Sequence, residues 1–123
     1  MKKIFNLSIT IIFSLNVFSQ APAIQWQKCY GGMYGEEASC ILQTQDNGFI
    51  ICGQTYSNDL FGFQGNRDVL VIKIDSSGTL QWQKCLGGTG EDVAINMLIA
   101  EDGNYVIAAS TRSNDGDVNG NHG

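Results

Sequence analysis

The sequence has one proline, one histidine and few basic side chains, and each shortage removes a class of explanation. The lone His122 sits in the terminal loop without a nucleophile partner, and no G-x-S-x-G elbow occurs. Neither C-x-x-C nor a Cys/His cluster is present to mark a zinc site. Stretches that favour helix are almost missing. Seven basic side chains face 12 acidic ones; without Lys2 and Lys3 the balance is 5 against 12, a formal −7. Such a charge repels phosphate backbones and anionic membrane surfaces, so nucleic acid is not an expected partner. A long apolar run is lacking too. The stretch 4–18 is interrupted by Asn6, Ser8, Thr10, Ser14 and Asn16, and falls short of the roughly 20 apolar residues needed to span a bilayer.

That stretch does suit a leader. Lys2 and Lys3 form a positive n-region, 4–18 the apolar h-region, and Val17-Phe18-Ser19 before Gln20 a pattern that signal peptidase accepts. A signal peptide is expected over residues 1–19, with residues 20–123 secreted or displayed at the cell surface and no membrane span after cleavage. An uncleaved anchor is the rival reading, and the length of the apolar stretch counts against it.

What is plentiful is glycine, together with Val, Ile, Tyr, Phe and Thr in short runs, a composition that favours strands joined by tight turns. The chain also repeats itself at a spacing of 56. Gln25-Trp26-Gln27-Lys28-Cys29 matches Gln81-Trp82-Gln83-Lys84-Cys85, and Gly31-Gly32 matches Gly87-Gly88. Without a gap, Ala38 then meets Ala94, Leu42 meets Leu98, Asp46 meets Asp102, Ile51 meets Ile107 and Thr55 meets Thr111. Ser57-Asn58-Asp59 meets Ser113-Asn114-Asp115. So many identities at one offset indicate an internal duplication, with copy one over about 24–79 and a partial copy two over 80–123.

The punctuation predicts strands over 49–56, 69–75, 80–86 and 93–100. Between them lie the turns Asp46-Asn47-Gly48, Ser76-Ser77-Gly78 and Glu101-Asp102-Gly103, which supply the positive φ that tight hairpins demand. The expected fold is all-β: antiparallel four-stranded repeat units, arranged as an incomplete β-propeller-like fragment. Four strands in about 56 residues is close to the size of a propeller blade. A blade cannot bury both faces alone, so further copies of the same repeat are the first expected partners. The runs Val69-Leu70-Val71-Ile72 and Tyr105-Val106-Ile107-Ala108-Ala109 suit strands covered on both sides, and Trp26 and Trp82 suit the gap between blades. A β-solenoid is the rival architecture, although its coils are usually shorter. With fewer than two copies present, the chain reads as a fragment of a longer protein, or else as a short chain that associates through its open edges.

The strings Trp82-Gln83-Lys84-Cys85-Leu86-Gly87-Gly88, Glu101-Asp102-Gly103-Asn104-Tyr105-Val106-Ile107 and Ser113-Asn114-Asp115-Gly116-Asp117-Val118 give the chain a familiar look. Over residues 24–123 it resembles the repeats of large secreted Bacteroidetes surface proteins. The resemblance implies a propeller-like fold and export of the type IX secretion kind. It implies no activity.

Asp115, Asp117, Asn119 and Asn121 fit the opening of a calcium loop, D-x-[DN]-x-[DN]-G, whose alternating oxygens can converge on one hard cation. A polar turn explains the same residues without a metal. The stretch 87–95 matches one calcium-binding nonapeptide, but that site needs stacked copies, and a Gly-rich loop explains it. Cys40 and Cys52 flank the Asp46 turn on consecutive strands and could pair, whereas Cys29 and Cys85 occupy equivalent repeat positions and read as packing residues. Glu36-Glu37 and Glu91-Asp92 are the obvious carboxylate clusters for a glycosidase, and beside Gly-rich loops they read as solvated. The expected function is therefore a non-catalytic exported repeat scaffold for surface adhesion or recognition, with a protein or glycan ligand. Two alternatives stand beside it: a calcium-stabilised carbohydrate-binding module, and an accessory region of a secreted polysaccharide-degrading enzyme.

Overall fold

The computed structural model describes residues 21–122; the leader expected over residues 1–19 lies outside them. The chain is all-β. An antiparallel meander of β1 (Glu36–Gln43), β2 (Phe49–Thr55), β3 (Asp68–Ile74) and β4 (Leu80–Leu86) forms a four-stranded sheet in sequence order, and β5 (Asp92–Ile99) with β6 (Tyr105–Thr111) forms a two-stranded one. Neither sheet closes into a barrel. No helix among the described residues is long and apolar enough to cross a membrane.

The predicted strands lie within a residue of the observed ones because the turns fix them. All three hairpins, 44–48, 75–79 and 100–104, use one geometry. The first residue donates its N–H to the carbonyl of the fifth (3.0, 3.0 and 2.8 Å), and the fourth donates back to the first (3.0, 3.0 and 2.9 Å). That fourth residue must be left-handed, and Asn47 (φ 60), Gly78 (φ 75) and Gly103 (φ 83) are. In each turn an aspartate, Asp46, Asp75 or Asp102, accepts a backbone N–H two residues on, at 3.1, 2.8 and 3.0 Å. Both opening strands carry a register shift at the same place, between Ala38 and Cys40 in β1 and between Ala94 and Asn96 in β5.

β3 is buried along its whole length, as its apolar run requires. Val69, Val71, Ile50 and Cys52 meet Ala94 and Met97 of the second sheet, while Leu70, Ile72, Ile74 and Cys85 pack on the opposite face with Leu60, Trp26 and Tyr30. Each large aliphatic side chain buried here contributes on the order of 1.5 to 3 kcal/mol. Lys73, in the middle of this strand, is only 5% exposed. Its ammonium donates to Asp46 Oδ2 (2.8 Å), Gln81 Oε1 (2.9 Å) and the Ile74 carbonyl (3.2 Å), which offsets the cost of burying a charge. The Lys73 bond, with those from the Thr44 hydroxyl and the Gly48 amide, holds the Asp46 carboxyl well below the usual carboxylate range.

Three expectations need correction. β6 is covered on one side only: Tyr105 and Ile107 are half-buried, while Val106, Ala108 and Ala109 are exposed, because no further sheet stands beside them among the described residues. The segment 24–30 forms no ladder, although its counterpart 56 residues on is β4; it lies against the first sheet without a strand alongside it to pair with. The tryptophans pack at the sheet margin and not deep between sheets. Trp26 lies edge-on to Phe49 at 6.5 Å, and Trp82, still 41% exposed, tilts against Tyr105 at 6.2 Å.

Candidate functional site

Tight hairpins occupy one end of the molecule. The other end carries the long connections 31–35, 56–67, 87–91 and 112–122. They are tied together across the sheets by Asp92 N to Arg67 O (2.6 Å), Asn66 N to Gly90 O (3.1 Å) and Asp117 N to Gly87 O (2.8 Å).

A carboxylate at the start of each sheet organises this end. Glu36 Oε1 accepts from Gly32 N (3.1 Å), Thr55 Oγ1 (3.0 Å) and Ser57 Oγ. Fifty-six residues on, Asp92 accepts from Gly88 N (2.9 Å), Ser113 Oγ (2.7 Å) and Thr111 Oγ1. The same doubling extends outward. Met33 N donates to Asp59 Oδ1 (3.0 Å) as Thr89 N does to Asp115 Oδ1 (2.8 Å). Tyr34 N donates to Ser57 Oγ as Gly90 N does to Ser113 Oγ, both at 2.9 Å. The second glycine of each Gly-Gly pair is required by this approach: a Cβ at Gly32 or Gly88 would run into Ser57 and Asp59, or into Ser113 and Asp115.

Burial works to raise Glu36 and Asp92, but the hydroxyl and amide donors around each outweigh it and hold both carboxyls below their ordinary values. Asp92 is 2% exposed, so the reading of it as a solvated acid is overturned. Asp68, fully buried nearby, goes the other way. Desolvation pushes its carboxyl up; the Gln64 amide at 2.7 Å resists, while the Asp92 and Asp117 charges add to the rise. Its buried Oδ1 has no hydrogen-bond partner among the described residues.

Three of the four residues of the calcium reading, Asp115, Asp117 and Asn121, turn to separate partners. Asp115 accepts from Thr89 N and Oγ1, and Asp117 Oδ2 from Gln64 Nε2 (3.0 Å) and Gly87 N (3.4 Å). Asn121 Nδ2 donates to the carbonyls of Ser113 (2.9 Å) and Thr111 (3.4 Å), and Asn119 is exposed. Among the described residues no group of three or more His, Cys, Asp or Glu side chains is arranged to hold a metal ion. Cys40 and Cys52 stand directly opposite each other across β1 and β2. Cys29 is exposed and Cys85 buried, with desolvation pushing the Cys85 thiol up to about 11. His122 is exposed.

Around this shared frame the tips differ. Tyr56 carries the Arg67 guanidinium over its ring at 5.6 Å, and Arg67 and Arg112 both reach Glu91 Oε2, at 3.3 and 2.9 Å. Met33, Tyr34 and Phe61 project into solvent, 75%, 58% and 96% exposed. Their counterparts 56 residues on are Thr89, Gly90 and Asp117, and that of Tyr56 is Arg112. Sequence reasoning recorded Thr55, Ser57 and Asp59 as identities with Thr111, Ser113 and Asp115, but missed the carboxylates that use them. The available signal was an acid four residues after the second glycine in both places. No protein family, curated protein or solved structure matches this chain.

Proposed function

We propose that this chain is a non-catalytic, exported repeat scaffold, propeller-like in arrangement, whose long-loop end recognises a protein or glycan at a cell surface. One observation carries the reading. Positions 56 apart keep the clamp residues (Glu36/Asp92, Thr55/Thr111, Ser57/Ser113, Asp59/Asp115) while the tips beside them change from Met33, Tyr34, Tyr56 and Phe61 to Thr89, Gly90, Arg112 and Asp117. A frame that holds its hydrogen bonds while its tips vary is how a display surface is built. Exposed aromatic rings offer large contact area at low entropic cost, against a sugar face or a peptide. Asp92 argues against catalysis in the same terms: both its oxygens already accept from amides and hydroxyls, which leaves it nothing to give a substrate.

Glycan-array and cell-surface binding of the secreted chain, beside a Tyr34→Ser/Phe61→Ser variant, tests this. Binding is expected to fall about tenfold or more in the variant, as for an aromatic hot spot, with an unchanged melting temperature. Binding that ignores both rings and follows the hairpin end would sink the reading.

A further inference from the structure

The two faces of the first sheet are not alike. One, the outgoing face, presents Cys40, Leu42, Ile50 and Cys52, and the second sheet covers it; Ile50 and Cys52 are fully buried there. The residues that do the covering are Ala94, Met97, Ile99, Tyr105 and Ile107, on the incoming face of β5 and β6.

Fifty-six residues beyond the outgoing set stand Asn96, Leu98, Val106 and Ala108. They hold the same ladder positions: Cys40 pairs with Cys52 as Asn96 pairs with Ala108, and Leu42 pairs with Ile50 as Leu98 pairs with Val106. All four are exposed. Leu98 and Val106 are 54% and 52% open, and the neighbouring Ile95 is 62% open.

The converse holds at the other side of the molecule. Counterparts of Ala94, Met97, Tyr105 and Ile107 are Ala38, Ile41, Phe49 and Ile51, the incoming face of the first sheet. Ile41 is 58% exposed, and Ala38 and Ile51 line a cleft of about 200 Å³ with Leu70 and Ile72. Trp26, Tyr30 and Leu60 cover the β3 side of this face, with Trp26 touching Phe49 as Trp82 touches Tyr105. The segment 24–30 thus stands to the first sheet as β4 stands to the second, and leaves the β1 side of the face, at Ala38 and Ile41, open. One chain carries, on opposite sides, the β5–β6 part of the outgoing half and the β1–β2 part of the incoming half, in addition to the joined pair inside it.

We propose that the outgoing face of β5 and β6 binds the incoming face of a second copy of this chain, head to tail, in continuation of the packing that already joins the two sheets. Such a contact is heterologous, so each added copy leaves one half-site open at either end. This goes beyond the recognition reading and does not depend on it.

Sedimentation velocity of the whole secreted chain over a range of concentrations tests the proposal, with Val106→Glu blocking the outgoing face and Ile41→Glu the incoming one. The wild type is expected to form species that grow with concentration. Each variant alone should stay monomeric, with association weakened about tenfold or more. Mixed in equal amounts they should form one discrete heterodimer, because each retains one working face. Circular dichroism and melting confirm the fold of each variant; should Val106→Glu fail to fold, Leu98→Glu blocks the same face. A monomeric wild type, a variant that associates as the wild type does, or a mixture that stays monomeric overturns the proposal. So does association lost in Phe61→Glu and kept in Val106→Glu, which would place the contact at the loop end.

Discussion

At the hairpin end, each aspartate that holds a turn accepts N–H groups from within four residues: Asp46 from Gly48, Asp75 from Ser77 and Thr79, Asp102 from Asn104. At the loop end, Glu36 and Asp92 reach hydroxyls 21 residues away, on Ser57 and Ser113, and the loops they hold also grip Asp59 and Asp115 across 26 residues. The first kind of turn can form as soon as its five residues are made. The second exists only after the opening strand of a sheet has paired with the next, since β1 and β2, or β5 and β6, bring its two sides together. Local turns set where strands begin; distant clamps report that the strands have assembled. Damage at the loop end should therefore spread through the fold, whereas damage at the 100–104 hairpin, whose Asp102 bonds Asn104 two residues on, should stay small. Asp46, tied to buried Lys73, stands between the two.

The largest effect is expected for Asp92→Ala. It strips partners from the Gly88 amide and from the Thr111 and Ser113 hydroxyls in a buried place, at a cost of about 3 kcal/mol, read by urea denaturation. A cost below about 1 kcal/mol would erase the contrast between the ends. The same residue gives a pH signature. Because Glu36 and Asp92 have folded values below their unfolded ones, their contribution is complete above the ordinary carboxylate range and is lost as pH falls through the folded values. Melting temperature should drop on acidification below about pH 4, and less steeply in the variant.

How much of this was legible in the sequence follows from the same division. Turn chemistry is local, so Asp46-Asn47-Gly48 and Glu101-Asp102-Gly103 placed the hairpins and, through them, the strands. The 56-residue spacing was legible as identity, and it pointed to Thr55, Ser57 and Asp59 without saying what they touch. What sequence could not supply was the depth of Asp92 and Lys73, since burial depends on the neighbouring sheet and on partners 8 to 27 residues away. Nor does an apolar run such as 105–109 say how many of its sides are covered.

A hairpin substitution sharpens the contrast from the other side. Gly103 has φ 83 and open space around the position of a Cβ, so Gly103→Ala meets only a backbone penalty of about 1 kcal/mol. Equilibrium denaturation should show that loss at every pH, with no change in the acid response. Any larger loss would mean that the 100–104 hairpin, like Asp46, is held from afar.

The smallest effect has the opposite sign. The folded value of Asp68 is raised, so its contribution is fully present only below its unfolded value and is lost as pH rises through the folded one; at neutral pH the residue weakens the fold. Asp68→Asn keeps an acceptor for the Gln64 amide and removes the charge. Calorimetry at pH 7 should show melting raised by a few degrees at most, and an unchanged or lowered melting point would contradict the account.

The register shifts in β1 and β5 bear on how these strands could change. In an unbroken strand, residues three apart point to opposite sides, yet Ala94 and Met97 are both buried against the first sheet, at 2% and 4% exposure. The one surplus residue at Ile95 resets the alternation so that both halves of the strand look inward. Deleting it, or Ser39 in the opening strand of the first sheet, would leave Ala94, Asn96 and Met97, or Ala38, Cys40 and Ile41, alternating as in a regular ladder with each on its present side. The same one-residue deletion in β2, whose pairing with β3 carries no register shift, would exchange inside for outside along half the strand.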